Sequence, residues 1–282
     1  MSYTSRIPGP PLDAYIDDFY HLDSPPPAPR LRVFPMPSLH LMINLGSPFE
    51  VGVGDQANID ILAESWCTGM WDVYHVVRFP ASNVRLYGVH FKPGGASPFL
   101  HLPLSDIRNR IAPLEAIWGP RASEVRERLW AAPSIGAGLS LLEALLLERM
   151  REASNKLGLV QHAIAEIMRH QGSLSIRALS AHVGVSHNHL GVQFNNLVGA
   201  TPKELARLYR FAHLLSSIEP EHPADWTRLA HRSGFYDQSH FNREFVSFTG
   251  LNPSDYLQRR LRLGAERPAY KQEPGNLPLD DK

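Results

Sequence analysis

Polar and apolar positions change period near residue 95. From Leu31 to about Lys92, short apolar runs such as Leu39–Leu45, Val73–Val77 and Val84–Phe91 are broken by Gly, Pro and Asn. That spacing predicts short strands joined by turns, in a mostly antiparallel β barrel or sandwich. Pro93, Gly94 and Gly95 form a strong turn signal. Beyond it, apolar residues recur at helical spacing over Ala122–Trp130 and Leu139–Arg151. Leu139, Leu142, Leu145 and Leu146 fall on one face of the second segment, a surface suited to closing the β domain or pairing with a second subunit. From Leu159 the period is helical throughout. It predicts helices over 159–170, 175–182, 187–197, 202–217, 225–231, 238–248 and 253–262.

The fold class expected is α+β: an N-terminal β barrel or sandwich with helices, then an all-α domain. The first 30 residues are proline-rich around a helical or aromatic segment, Leu12 to Tyr20. The boundaries read as 1–151 for the β-rich domain, 152–158 for a linker and 159–263 for the helical domain. Residues 264–282, with prolines, charges and few apolar positions, are expected to be a disordered tail.

Within the helical part the sequence repeats. Ser186, Leu190, Phe194, Gly199, Thr201 and Pro202 are matched 51 positions later by Asp237, Phe241, Phe245, Gly250, Asn252 and Pro253. Gly184 and Gly234 differ by 50, so one residue is inserted before Asp237. Start and stop signals are duplicated with the apolar positions. Thr201 and Asn252 are N-cap candidates followed by Pro202 and Pro253, and Glu204 can complete a capping box. Gly199 and Gly250 suit left-handed helix ends. A duplicated helix-turn-helix accounts for this spacing, and two recognition helices on one chain can address DNA without a partner subunit.

In such a unit the first helix braces the second, whose N-terminal half enters the major groove. Leu179, Val183, Val185, Leu190 and Phe194 are the bracing residues of unit one; Leu229, Phe235, Phe241 and Phe245 serve unit two. The outward positions of unit one are His187, Asn188, His189, Asn195 and Asn196, with Gly191, Val192 and Gln193 along the middle. Those of unit two are Gln238, Ser239, His240, Asn242 and Arg243. Asn and Gln can pair bidentately with adenine and Arg with guanine. Candidate DNA-binding residues are therefore His187, Asn188, Val192, Gln238, Ser239, His240, Asn242 and Arg243. For Arg243 a phosphate contact or a structural ion pair competes with base reading, and for the histidines backbone or water contacts do.

Charge changes this picture little. Lys and Arg total 28, as do Asp and Glu. Between Gly158 and Leu263 eleven basic residues meet eight acidic ones, a mild local surplus of the kind a nucleic-acid binder carries. Arg177, Lys203, Arg207 and Arg210 are the expected phosphate contacts, which would make affinity salt-sensitive. Cys67 is the single cysteine, so an intrachain disulfide and a thiolate metal cluster are both excluded. It reads as a buried, inert thiol. His40, His75, His90 and His101 lack paired spacing with a carboxylate and read as surface or core residues rather than metal ligands. Trp66, Trp71, Tyr74 and Phe91 are candidates for lining a small-molecule pocket, and equally for filling the core. No basic-then-apolar leader and no stretch near the ~18 residues needed to span a bilayer are found. A cytoplasmic protein is expected, with no membrane partner and no cofactor.

The stretch Ser233-Gly-Phe-Tyr-Asp-Gln-Ser-His-Phe-Asn-Arg-Glu-Phe245, followed by Thr249-Gly-Leu-Asn-Pro-Ser-Asp-Tyr256, resembles the signature of AraC/XylS-type transcription regulators, in which it marks the second helix-turn-helix. The resemblance covers roughly 158–263. It implies two helix-turn-helix units joined by a long helix, here 202–217, and regulation of bacterial promoters in response to an N-terminal sensor. Double-stranded promoter DNA is the partner implied; RNA polymerase, a small-molecule effector and a second copy of the chain are further candidates. Unit one departs from the pattern, because Val192 stands where the family commonly has a basic residue. The N-terminal residues Arg32–Pro35, Asn44–Gly46 and Tyr87–Ala96 resemble a sensor-like domain found ahead of such DNA-binding domains, which supplies an architecture and no ligand. The competing class is a β-barrel enzyme with an accessory helical domain, but no nucleophile motif, phosphate loop or carboxylate pair supports it. A DNA-repair methyl acceptor would need several thiolates around zinc, and this chain has one cysteine.

Overall fold

A computed structural model describes residues 2–26, 28–54, 59–150, 155–218, 226–235, 237–266 and 275–279. The strands are β1 (Ser2–Arg6), β2 (Ile16–Ser24), β3 (Arg30–Val33), β4 (Leu39–Asn44), β5 (Phe49–Val53), β6 (Ile59–Leu62), β7 (Ser65–Thr68), β8 (His75–Arg78), β9 (Val84–Phe91), β10 (Ile111–Pro113) and β11 (Asn276–Pro278). The helices are α1 (Ser97–Leu100), α2 (Leu114–Trp118), α3 (Arg121–Trp130), α4 (Ile135–Arg149), α5 (Asn155–Arg169), α6 (Ile176–Val183), α7 (His187–Val198), α8 (Pro202–Ser216), α9 (Trp226–Arg232), α10 (Gln238–Thr249) and α11 (Pro253–Glu266). The class is α+β, as expected.

The strands form two antiparallel sheets that do not close on each other, so the sandwich alternative holds and the barrel does not. One sheet has the order β1-β2-β9-β4-β7-β10 and the other β11-β3-β8-β5-β6. Alternation along the strands decides what each face meets. Phe19, Leu39, Leu41, Ile43, Val89 and Phe91 are almost fully buried on one face of the larger sheet, within the main core. On this side α4 is tied to β1 by Arg6, which donates to Ser140 Oγ at 3.1 Å and pairs with Glu143 at 2.9 Å. The opposite face turns Tyr20, Trp66, Val84 and Leu86 toward Phe49 of the second sheet, in a smaller apolar cluster.

The main core does not stop at the expected domain boundary. It runs from Phe19 and Phe91 through Leu142 and Leu146 to Ile164, Phe194, Leu205, Phe211 and Phe245. Of the expected linker, 152–154 lie outside the described residues, and α5 has already begun at Asn155. The expected disordered tail also needs correction. Helix α11 continues to Glu266, and Asn276–Pro278 pair antiparallel with β3, Leu277 opposite Arg32. Leu277 is fully buried, and its burial together with the pairing to β3 helps offset the cost of ordering the segment. Residues 267–274 and 280–282 of that stretch lie outside the described residues.

Cys67 is buried between β4 and β10, which pushes its thiol up to about 12. Trp66 and Phe91 are core residues. Burial also lowers His40 to about 3 and His75 to about 4. His75 stacks on Trp71, and His90 Nδ1 lies 2.6 Å from Asp18 Oδ1.

Candidate nucleic-acid interface

Each helix-turn-helix is built from local signals. In unit one, α6 ends at Gly184, whose φ of 74° lets the chain reverse. Ser186 caps α7 by accepting from the His189 N–H at 3.2 Å. In unit two, α9 is followed by Gly234, and Asp237 caps α10 by accepting from the His240 N–H at 2.6 Å. An anionic cap at this end also complements the helix dipole. Between the units runs α8, which opens with the full capping box. Thr201 Oγ1 accepts from the Glu204 N–H at 3.3 Å, and Glu204 Oε2 accepts from the Thr201 N–H at 2.8 Å. Its face of Leu205, Leu208, Phe211, Leu214 and Leu215 is buried against both units.

Bracing residues Leu179, Leu190, Phe194, Phe235, Phe241 and Phe245 are buried. Of the candidate readers, His187, Asn188, Gln238, Ser239, Asn242 and Arg243 are exposed, and Val192 is 56% exposed. They lie on the N-terminal two turns of α7 and α10, the part of a recognition helix that meets base edges. His240 departs from the set: it is half-buried, with Nε2 3.9 Å from Glu244 Oε2.

Three polar residues are not where their chemistry suggested. Gln193 is buried, because it shares the inward face of α7 with Leu190 and Phe194. Arg207 and Arg210, expected at phosphates, turn inward to Glu244 of α10. The Arg207 Nε–H donates to Glu244 Oε1, and the Arg210 guanidinium lies 3.9 Å from Oε2. The same arginines lie over the Phe248 ring at 5.1 Å and the Phe235 ring at 5.6 Å. Glu244, 5% exposed, therefore ties the second recognition helix to α8. A sequence signal for this existed. Glu244 stands 51 positions after Gln193, between Phe241, Phe245 and Phe248, on a face whose period points inward. Arg177 and Lys203 remain exposed.

The N-terminal region touches this interface from behind. Arg108 lies 2.7 Å from Asp72 and 2.7 Å from Glu204. Burial raises the Glu204 carboxyl, but the Thr201 hydrogen bonds and Arg108 hold it below its ordinary range. Arg32 donates to the Thr249 carbonyl at 3.0 Å and lies over the Tyr74 ring at 4.5 Å.

Two exposed polar helix faces on one α8 frame give the arrangement of a duplicated helix-turn-helix. Residues 179–259 match the family model described as a helix-turn-helix domain, and residues 4–113 match a domain of unknown function, DUF6597. A helix-turn-helix domain thus follows a domain of unknown function along the chain. Among solved structures, ToxT from Vibrio cholerae O395 is 11% identical, with a TM-score of 0.45 over 91% of this chain and 97% of that one. ToxT bound to (E)-4-(8-methylnaphthalen-1-yl)but-3-enoic acid gives 11%, 0.44, 92% and 99% for the same quantities. The AraC-like transcriptional activator CuxR gives 11%, 0.30, 77% and 87%. No curated protein matches the chain. Among the described residues no helix is long and apolar enough to cross a membrane.

Proposed function

We propose that the two units read DNA unequally, with unit two carrying most of the base discrimination. The observation behind this is the pair Val192 and Arg243. They occupy equivalent positions in the repeat, and both are exposed. Arg243 can donate twice to guanine, whereas Val192 can meet no more than a thymine methyl. Gln238 and Asn242 add amides suited to adenine; Ser239, His187 and Asn188 make further polar contacts, and Arg177 and Lys203 meet phosphates. Arg207, Arg210 and His240 support the reading helix from within. The same reading puts the chain at promoter DNA in the cytoplasm, beside RNA polymerase. Its N-terminal sheets would sense a small molecule or seat a second copy of the chain. The continuous core supports that coupling, since an effector switches a protein only by preferring one arrangement of its parts.

The test is a selection of bound duplexes from a randomised pool, then affinities of variants for the recovered sequence. Arg243→Ala is expected to weaken binding by about 10- to 100-fold, the equivalent of roughly 1–3 kcal/mol for a lost bidentate pair. Val192→Ala should change it less than about threefold, as expected for a single apolar contact. Equal losses would contradict the division.

A further inference from the structure

The two recognition helices end at equivalent glycines, and both glycines are seated on the N-terminal domain. Gly199 closes α7 with φ 79°, and a Cβ there would lie 2.8 Å from the Leu104 carbonyl oxygen. Gly250 closes α10 with φ 67°, and a Cβ there would lie 2.5 Å from the Tyr74 ring. Each position thus needs glycine twice over, for its left-handed backbone and for the closeness of its neighbour. Beside each contact stands an arginine of the N-terminal domain. Arg108 links Asp72 to Glu204, five residues past Gly199. Arg32, 8% exposed, donates to Thr249, the last residue of α10, and lies on Tyr74. A cation at that end complements the negative pole of the helix. Phe34 adds ring contacts to Phe211 of α8 and Tyr256 of α11, at 6.4 and 5.8 Å. These contacts take the trailing ends of α7 and α10 and leave the exposed candidate readers at the leading ends uncovered.

We propose that the N-terminal domain is a bracket that fixes the distance between the two DNA half-sites, with Arg32, Tyr74 and Arg108 as positioning residues. This rests on both units reading DNA. A duplicated reader joined by one helix can flex about that helix. Pinning both trailing ends to one N-terminal scaffold removes that freedom and makes the permitted half-site spacing a property of the whole chain. The three residues touch no base, so their loss should alter spacing and leave the half-site sequences alone.

The experiment is the same selection from a randomised duplex pool, run on the full wild-type chain and on Arg32→Ala/Arg108→Ala. Wild type should return a strongly conserved block for unit two and a weaker one for unit one, at a single spacing of about one helical turn between recognition helices in successive grooves. The double variant should return the same two blocks over a spread of spacings, and should bind the wild-type spacing several-fold more weakly. Two blocks at the unchanged single spacing would overturn the bracket, as would tighter binding by the variant, which would mean that docking opposes DNA. A single conserved block from the wild-type chain would overturn two-unit reading itself. If thermal melting shows the double variant unfolded, Tyr74→Leu removes only the ring against Gly250 and goes through the same selection. A spread of spacings supports the bracket, and an unchanged spacing overturns it.

Discussion

At Glu244 a carboxylate lies in the apolar seam between a recognition helix and the helix that carries it. A charge so placed is stable only while paired. Arg207, whose side chain is 31% exposed, supplies the hydrogen bond, and Arg210 adds charge at longer range. Arg207→Ala should therefore destabilise the protein by roughly 3 kcal/mol, at the low end for breaking a buried pair because Arg207 itself is partly solvated. Urea unfolding measures this, and a change under ~0.5 kcal/mol, the ordinary size for a surface substitution, would show Glu244 to be satisfied by other means. The residue types alone misassigned this cluster. Two arginines three apart in a DNA-binding domain suggest phosphates, and which side of α8 they occupy depends on what packs there.

At the scale of elements, helix boundaries were the most legible feature. The caps Ser186, Thr201, Asp237 and Asn252 and the stops Gly184, Gly199 and Gly250 act within a few residues of chain, so the sequence contains both partners of each interaction. Observed helices α6, α7, α8, α10 and α11 start at or within one residue of the expected positions. The capping box at α8 is a test of this local chemistry. Thr201→Ala should cost about 1 kcal/mol, the usual size of an N-cap loss, read from the urea midpoint. Glu204 has a pH signature as well. Its folded pKa lies below its ordinary value of 4.5, so its contribution is complete above about pH 4.5 and is lost as pH falls through the lowered value. The stability gap between wild type and Glu204→Gln should be constant from neutral pH to about 5 and close on further acidification. A gap that widened in acid would reverse the assignment.

At the scale of the whole molecule, one core joins sheets, helices and both reading units, and the chain's far end returns to it. Strand β11 places Leu277 in that core. Leu277→Ala should therefore cost roughly 2–4 kcal/mol, as for other buried leucines, measured by thermal or urea unfolding. A loss below ~0.5 kcal/mol, that of an ordinary surface change, would restore the picture of a dispensable tail. Sparse apolar content suggested such a tail, since Leu277 is an isolated leucine among prolines and charges. Its burial follows from the open edge of β3, a site no local pattern announces.

Local patterns along the chain are enough to specify the repeat, the caps, the apolar faces of α7 and α10 and their exposed polar positions. Each of these follows from interactions within a turn or two of chain, where periodicity and side-chain chemistry suffice. Long-range packing instead sets the two sheets open, turns Arg207 and Arg210 to Glu244, brings residue 277 to an edge, and rests Gly199 and Gly250 on Leu104 and Tyr74. Those contacts join residues from 34 to well over 200 positions apart. Their partners are chosen by shape and charge once the core has formed, so the spacing of residues along the chain does not encode them.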